Sequence, residues 1–313
     1  MNNQTIISCI IIGYNSKQEL TNLLESINNT AGVKNKEQIE LIYVDDGSSD
    51  DSKKAFDTYS LQYRKKSFAL LKNQGRSRAR HAGIKQASGK WLLFLNSSVV
   101  VEKNIFNEYL QIIKKNPSII ALAGNIKYRS KDLMFEKYLN NKKRGINQYS
   151  NEQKIKFQHL LLSNAVINKK VFKNIQFDFK LNHYGGEELD FAHRLYQKYP
   201  NQTLAAKRAT ALRLDHPVFK QHCKRMQEFG KINFLLLNRF LQKTIIRYPL
   251  FLTVLFVFKV FVCFLYFISL KAYNVFPGEK NNFIIIKLGL WSAVLKGFYR
   301  SSDNSYFPES KSS

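Results

Sequence analysis

Continuous apolar runs alternate with helically spaced apolar positions through the first 216 residues. Residues 6–12 and 39–44 are β-branched runs, which predict strands buried on both faces of a parallel sheet. The apolar positions between them follow helical spacing: Leu20, Leu23, Leu24 and Ile27. Further strands are predicted near residues 68–71, 91–95, 119–126 and 160–167, and further helices near residues 52–63, 105–115, 169–175 and 187–197. The alternation predicts an α/β domain over residues 1–216, with a doubly wound, mostly parallel sheet and flanking helices.

The pattern breaks in two regions. Residues 127–156 are polar, rich in Lys and Asn and poor in periodicity, so we expect a long, mobile excursion. Residues 217–248 interleave apolar positions with seven basic residues and one acidic residue, Glu228. The basic residues are Lys220, Lys224, Arg225, Lys231, Arg239, Lys243 and Arg247. This segment predicts a basic amphipathic juxtamembrane helix on an anionic membrane.

Residues 249–270 are apolar except for Lys259 and a few small or polar positions. A Lys at the centre of a membrane helix costs about 3 kcal/mol, whereas each Leu, Ile, Val or Phe contributes roughly 0.3–0.6 kcal/mol in favour of insertion. The apolar residues therefore outweigh the Lys, and we expect membrane-associated helices across residues 249–300, as one span or a hairpin. A buried soluble hairpin is the alternative. Residues 301–313 are expected to form a disordered tail.

The formal net charge of +26 is spread along the chain. It suits anionic partners such as nucleotide diphosphates, lipid headgroups or nucleic acid. Nucleic acid is not expected, because no nucleic-acid-binding motif is present and basic residues concentrate beside the apolar segment. The three cysteines match no metal or redox spacing, and the N-terminus lacks the features of a signal peptide. We therefore expect the N-terminal domain on the cytoplasmic side of the cytoplasmic membrane.

Candidate chemistry begins where the second predicted strand ends, in the stretch IELIYVDDGSSD. Ligands of open α/β sheets bind outside the carboxyl ends of strands, which is where Asp45 and Asp46 are expected to lie. Paired carboxylates can accept hydrogen bonds from a ribose or a base, or hold a metal's water shell. A solvated turn is the alternative for this stretch alone.

Four motifs together resemble family 2 glycosyltransferases, which have the GT-A fold and use nucleotide sugars. They are IIGYN, VDDGSSDDS, NQGRSRARHAGIKQASGKWLLFLN and GGEELDFAHRL, in the order and at the approximate spacing of that family, and they cover about residues 5–216. The resemblance implies an inverting, hexosyltransferase-like enzyme (EC 2.4) of polysaccharide biosynthesis in the cell envelope. Its partners would be a nucleotide sugar, a glycan or lipid-linked acceptor, and the membrane.

On the donor side, the resemblance implies that Tyr14, Asp45 and Asp46 contact the nucleoside. Tyr14 could instead be a core aromatic residue. Gly75 would permit close approach of the backbone to the ligand. Arg78 and Arg80 would neutralise the diphosphate at the start of a helix, although arginines on a helix face can simply be solvated. The chain has Gly13 where the family usually has Pro, and His81 where Asn is usual.

The main departure from the family is the sequence Asn96–Ser97–Ser98, where an Asp-x-Asp normally binds Mg²⁺ or Mn²⁺. Asn96 and Ser98 offer only neutral oxygens, which hard cations bind less well than carboxylates. The other candidate metal ligands are Asp45, Asp46, Glu102 and His216, of which His216 matches a metal-binding His of the family. A metal is therefore doubtful, and arginines could carry the phosphate charge instead.

The segment GGEELD resembles the acidic box at the start of a helix in that family. Glu188 takes the place of the general base, with Glu187 and Asp190 beside it, although all three could merely complement the helix dipole. The sequence thus predicts transfer of a sugar to a hydroxyl of a glycan or lipid-linked acceptor at the cytoplasmic membrane face. The alternative is a non-catalytic member that binds nucleotide sugar or acts as a scaffold, because the Asp-x-Asp is missing.

Overall fold

The computed structural model describes residues 5–33, 36–252, 256–273, 275 and 279–306. These divide into two compact units, each described here by itself. The sheet unit comprises Met1–Arg129, Leu139–Phe179 and Phe191–His216. The helical unit comprises Ser130–Tyr138, Lys180–Asp190 and Pro217–Ser313.

The sheet unit is built on one eight-stranded sheet with strand order β3-β2-β1-β4-β7-β6-β8-β5. The strands are β1 Ile7–Gly13, β2 Ile39–Asp45, β3 Arg64–Ala69, β4 Trp91–Asn96, β5 Val99–Val101, β6 Ala121–Tyr128, β7 Asn164–Asn168 and β8 Thr203–Arg213. The β3-β2-β1-β4 half is parallel, as the apolar runs predict. In the other half, β7 runs antiparallel to β4 and β6, and β5 antiparallel to β8, so the whole sheet is mixed. Strands β6 and β8 are parallel to each other, so every strand of this sheet except β5 and β7 runs in the same direction, and the sheet is mostly parallel, as expected.

Helices cover both faces of this sheet. Those of the sheet unit are α1 Lys17–Asn28, α2 Ser52–Thr58, α3 Arg76–Gln86, α4 Ile105–Lys115 and most of α6 Glu187–Lys198, whereas α5 Leu133–Leu139 belongs almost entirely to the helical unit. Successive side chains of β1 point to opposite faces, which divides the core into two layers. Ile11 packs in the layer that contains α1 and α4, and Ile10 packs in the layer that contains α3 and α6. Burial on both faces explains why the strand sequence is continuously apolar.

The predicted mobile excursion, residues 127–156, is ordered. It contains α5 and a 3₁₀ turn at Gly145–Gln148, and several of its apolar side chains are buried. Those side chains include Phe135, Tyr138, Ile146, Tyr149 and Ile155. The spacing of these residues matches neither a regular helix nor a strand, so the sequence pattern could not reveal the burial.

The helical unit contains α7 Phe219–Lys231, α8 Asn233–Leu236, α9 Arg239–Ile246, α10 Phe256–Ala272 and α11 Glu279–Tyr306. The predicted single helix over residues 217–248 is therefore three helices. The break before α9 is capped by Asn238, whose side chain accepts a hydrogen bond from the Leu241 N–H at 3.0 Å. Phe219, Cys223 and Phe229 of α7 are buried, and α7 packs on α11. The apolar side of α7 thus serves the core of this unit.

The apolar segment 249–300 forms a 3₁₀ turn at Pro249–Leu252 followed by α10 and most of α11. Residues 253–255 and 276–278 of that expectation lie outside the described residues. Across the part of the chain that the structure describes, we find no helix with both the length and the apolarity to span a bilayer. Helix α11 continues to Tyr306, so residues 301–306 are helical rather than disordered, and residues 307–313 lie outside the described residues.

A buried carboxylate, Glu40 of β2, ties three segments of the sheet unit together. Its Oε1 accepts hydrogen bonds from Ser8 Oγ at 2.5 Å, Ser88 N at 2.6 Å and Ser88 Oγ at 2.7 Å, and its Oε2 lies 3.2 Å from Lys66 Nζ. Burial alone would raise its pKa, but the hydrogen bonds from Ser8, Ser88 and Lys66 outweigh burial and lower the pKa from 4.5 to about 2. The ionised form of Glu40 therefore stabilises the fold.

Replacement of Glu40 by Gln should destabilise the protein at pH 7. A pKa lowered from 4.5 to about 2 corresponds to about 3 kcal/mol of stability, which is present above the unfolded-state pKa and is lost as the pH falls through the folded-state pKa. Urea unfolding should show the full loss at pH 7 and almost none near pH 2. The exposed Glu25→Gln serves as the control, and equal effects of the two variants at pH 7 would contradict the assignment.

Candidate active site

The carboxyl ends of β1 and β2 are joined by hydrogen bonds that shape a shared edge. The Asp46 N–H donates to the Gly13 carbonyl at 2.9 Å, which continues the ladder one residue past the strands. The Asn15 N–H donates to Ser48 Oγ at 2.9 Å, and the Asn15 side-chain oxygen accepts from the Ser49 N–H at 2.8 Å. Asn15 has a φ of 46°, a conformation that Asn tolerates better than most residues. The two loops therefore hold each other.

The two carboxylates of the VDDGSSD stretch have different partners. Asp45 accepts from the N–H and the hydroxyl of Ser48, so it closes its own turn. Asp46 accepts from the Gln74 N–H at 2.8 Å and from the Gly75 N–H at 2.9 Å, so it holds the loop that leads into α3. Burial and the neighbouring Asp45 carboxylate raise the pKa of Asp46, although the two amide hydrogen bonds oppose the rise. Both side chains are buried, which excludes a merely solvated turn.

Two glycines make this loop contact possible. Gly47 has a φ of 75°, and a Cβ there would lie 2.4 Å from the backbone carbon of Lys72. Gly75 has a φ of 85° at the start of α3. Only glycine adopts such conformations at little cost, so the backbone of residues 72–75 can approach the turn after β2.

Tyr14 projects from the same edge and is 49% exposed, so the alternative of a core aromatic residue is wrong. Its ring is accessible for stacking against a flat ligand group. The preceding Gly13 is closely surrounded, because a Cβ there would lie 2.7 Å from Ser16 Oγ and 2.8 Å from Tyr43 Oη. This crowding explains why the chain has Gly rather than the family's Pro at the end of β1.

The arginines at the start of α3 lie in different environments. Arg78 is exposed, and its guanidinium carbon lies 4.8 Å from the centre of the Phe179 ring. His81 contacts the edge of the same ring at 5.2 Å. Arg80 is fully buried, and its Nη2 lies 3.4 Å from the side-chain oxygen of Asn96. Arg78 can therefore contact a ligand directly, whereas Arg80 places its charge beside the end of β4.

The segment Asn96–Ser98 does not fit a divalent cation. Its side chains are neutral, and the amide oxygen of Asn96 already faces the cationic guanidinium of Arg80. The hydroxyl of Ser97 pairs with that of Ser16 at 2.8 Å, which fixes the loop against the start of α1. Among the described residues, no group of three or more His, Cys, Asp or Glu side chains is arranged to hold a metal. Hard cations prefer anionic oxygens, so we derive no catalytic step through a metal.

The other candidate metal ligands have structural contacts. Glu102 lies 3.0 Å from Lys127 Nζ, in an exposed ion pair. His216 is buried, and its backbone N–H donates to the Arg129 carbonyl at 2.7 Å. The centre of its ring lies 5.1 Å from the centre of the Tyr128 ring, in an edge-to-face contact. These contacts make His216 part of the packing that follows β8.

The predicted base lies in the helical unit, at the first turn of α6. Glu187 is buried, whereas Glu188 and Asp190 are half-buried. Gly185 and Gly186 precede the helix with φ of 85° and 90°, and both lie against the ring of Phe229. A carboxylate at a helix N-terminus is stabilised in its ionised form, which is the form that a general base requires.

The buried side chain of Asn233 in α8 orders this loop. Its Nδ2 donates to the carbonyls of His183 at 2.8 Å and Gly185 at 2.7 Å. Sequence reasoning missed Asn233, Phe179 and Asn15. An Asn directly after a strand is a turn signal that could have identified Asn15. The other two act through contacts distant in sequence, for which no local signal exists.

Comparison with known proteins confirms the resemblance to family 2 glycosyltransferases. The profile of the family described as Glycosyl transferase family 2 matches residues 8–176. Poly-beta-1,6-N-acetyl-D-glucosamine synthase of Staphylococcus epidermidis is 28% identical over 131 residues, which are 42% of this chain and 31% of that protein. Minor teichoic acid biosynthesis protein GgaB of Bacillus subtilis is 31% identical over 176 residues, 55% of this chain and 19% of that protein. The chain thus matches less than a third of the length of these two relatives.

Solved structures share the fold. S. aureus TarS 1-349 in complex with UDP aligns with a TM-score of 0.57 at 18% identity, over 96% of this chain and 91% of that chain. A mannosyltransferase from Pyrobaculum calidifontis, PcManGT, aligns with a TM-score of 0.55 at 11% identity, over 74% of this chain and 64% of that one. Since the family profile covers more than half of the sequence, the chain belongs to glycosyl transferase family 2, and its fold is that of the solved GT-A-like structures.

Proposed function

We propose that the chain is a glycosyltransferase (EC 2.4) that inverts the anomeric centre of a nucleotide sugar as it transfers the sugar to a hydroxyl of a glycan or lipid-linked acceptor. The cytoplasmic face of the membrane is the proposed location, as the basic and apolar C-terminal segments suggest. The observation that carries the proposal is the loop pair in which Asp46 binds the Gly75 and Gln74 amides beside the exposed Tyr14. Polar groups at the carboxyl ends of parallel strands are suited to a nucleotide.

The donor is proposed to bind the edge formed by β1, β2 and β4. Tyr14 would stack on the base, and the remaining acceptor positions of Asp45 and Asp46 would bind base or ribose donors. Arg78 and the first turn of α3 would bind the diphosphate, with the buried charge of Arg80 nearby. TarS has been solved with UDP and with UDP-GlcNAc, so uridine diphosphate sugars are the first donors to test.

Glu188 is proposed to act as the general base. It would take the proton of the acceptor hydroxyl as that oxygen forms its bond to the anomeric carbon. The bond from that carbon to the diphosphate breaks in the same step, and the nucleoside diphosphate leaves. Glu187 is buried, so of the two adjacent glutamates Glu188 is the better placed to meet an acceptor.

Replacement of Glu188 by Gln should lower kcat by roughly 10²–10⁴-fold, because the amide cannot take the proton. Donor affinity, measured by calorimetry with UDP, should not change. Glu228→Gln, an exposed carboxylate of α7, is the matched control. Unchanged turnover in the Glu188 variant would refute its role as the base, and a wild type inactive with every donor would favour a binding or scaffold role.

Replacement of Asp46 by Asn should weaken UDP binding by about tenfold, since one loop amide then faces an NH₂ group in place of an acceptor. Because the pKa of Asp46 is raised, the wild type should also lose UDP affinity on acidification at a pH above the ordinary aspartate midpoint. The variant should lack this step. Asp51→Asn, at an exposed ion pair, is the control. Equal affinities of the two variants would contradict this role of Asp46.

Turnover should persist when divalent cations are removed, because neutral side chains and a buried arginine take the place of the Asp-x-Asp. The measurement is initial rate in EDTA, compared with the rate after Mg²⁺ or Mn²⁺ is restored, and the two should agree within about twofold. A loss of activity in EDTA that Mn²⁺ reverses would show that a metal is required.

A further inference from the structure

The outward side of α10 is apolar along its whole length. Six exposed residues of this helix recur at helical spacing, and we call them the α10 face: Val257, Val260, Phe261, Phe264, Phe267 and Ile268. Val257 is 72% exposed and Phe264 is 58% exposed. A helix on the surface of a soluble protein normally turns polar residues outward, so this pattern is reversed. Large exposed apolar patches mark sites of interaction with a protein or a membrane.

The opposite side of α10 is occupied within the helical unit. Val262, Tyr266 and Ser269 are buried, and α10 packs along α11. Only the exposed side of α10 is therefore accessible to a partner, and this side extends along the length of the helix. This one-sided arrangement suits a helix that lies in the plane of a surface.

Basic residues flank the α10 face along the chain. Arg239 and Lys243 are exposed and lie one turn apart on α9, and the exposed Arg247 follows as the residue that caps its end; we call the three residues the basic stripe. The chain then passes the exposed Leu250 to Phe251, whose ring lies 6.2 Å from that of Phe261. The basic stripe and the α10 face are thus joined by Phe251.

The charge is of one sign throughout this region. Residues 229–278 contain no Asp or Glu. At the end of the α10 face, Lys271 Nζ lies 4.5 Å from the centre of the Phe267 ring, with its stem along apolar surface. Apolar side chains bordered by Lys and Arg match the interface of an anionic bilayer, in which acyl chains lie beneath negative headgroups. A second copy of this chain would bring like charges together.

We propose that the α10 face and the basic stripe dock the chain in the plane of an anionic lipid bilayer. The α10 face enters the boundary between headgroups and acyl chains, and the basic stripe binds anionic headgroups. Docking does not require the chain to cross the bilayer. The inference deepens the proposed function, on which it rests for the presence of an acceptor at the membrane.

Close backbone packing connects this surface to the loop of the proposed base. A Cβ at Gly297 of α11 would lie 2.1 Å from the Gln227 carbonyl oxygen of α7, so the two helices touch at their backbones. Phe229, two residues further along α7, lies against Gly185 and Gly186. The loop that leads to Glu188 therefore packs on α7, and α11 joins α7 to the docking helix α10, so a bilayer-bound chain would hold its base near an acceptor carried by lipid.

The test is co-sedimentation of the full chain with vesicles of phosphatidylcholine alone or with phosphatidylglycerol added. The wild type should bind the anionic vesicles. The double variant Phe264→Ser, Phe267→Ser should bind at least about tenfold more weakly, since two large apolar side chains no longer enter the lipid. Both residues are exposed, so folding should be preserved. Leu71→Ser, at a fully exposed apolar residue of the sheet unit, is the matched control.

Charge reversal separates the contribution of the headgroups. Arg239→Glu with Lys243→Glu should abolish the preference for phosphatidylglycerol, whereas Lys114→Glu, on an exposed position of α4, should not. UDP binding and donor hydrolysis are measured on the same samples. Vesicle binding without hydrolysis would refute the proposed function alone. Hydrolysis without vesicle binding would overturn the docking surface alone, as would a wild-type dimer that the double Phe variant dissociates.

Discussion

Strand β1 lies between two parallel neighbours, β2 and β4, which share its backbone hydrogen bonds. The register places Gly13 opposite Asp45 and Ile12 opposite Asn96. The chain must therefore leave the sheet at three adjacent points, and the three loops that follow lie side by side. Every contact of the proposed donor site depends on this constraint. A slip of one residue would move the apolar set of β1 between the two layers of the core.

The loops at that edge use their polar groups to hold each other. Asp45 and Asp46 bind backbone amides, and Asn15 binds two serines of the opposite loop. The carboxylates proposed to contact the ligand therefore also serve as internal anchors. Their oxygen atoms can accept further hydrogen bonds, so the two roles are compatible. A preorganised edge of this kind gives a ligand a surface that does not have to be ordered on binding.

Arg80 lies beside Asn96, in the segment that replaces the Asp-x-Asp implied by the family resemblance. A carboxylate at position 96 would lie beside a buried guanidinium, where the two charges would neutralise each other. With Asn96 the arginine retains its positive charge next to the end of β4. The buried positive charge of Arg80 thus lies beside the segment in which the resemblance to the family implies a metal-binding Asp-x-Asp. The helical unit makes a separate contribution, because Phe229 and Asn233 shape the loop that presents Glu188.

Much of the sheet unit could be predicted from the sequence, because buried parallel strands require apolar runs and their ends require turns. The runs at residues 6–12 and 39–44 and the acidic turn after them gave the strands, their order of appearance and the position of Asp45 and Asp46. The antiparallel course of β7 and the burial of residues 127–156 could not be predicted. Both depend on pairing and packing between residues far apart in the chain, which leave no periodic pattern.

In the C-terminal region, too, part of the structure follows from the sequence and part depends on tertiary packing. Its sequence determined that apolar and basic residues lie close together after residue 217. Only the tertiary structure decided which of these residues are buried in the helical unit, as Phe219 and Phe229 are, and which are exposed, as Phe264 and Lys243 are. Exposure is a property of what packs against a side chain. A single sequence specifies the side chain itself, while its neighbours are known only once the chain is folded.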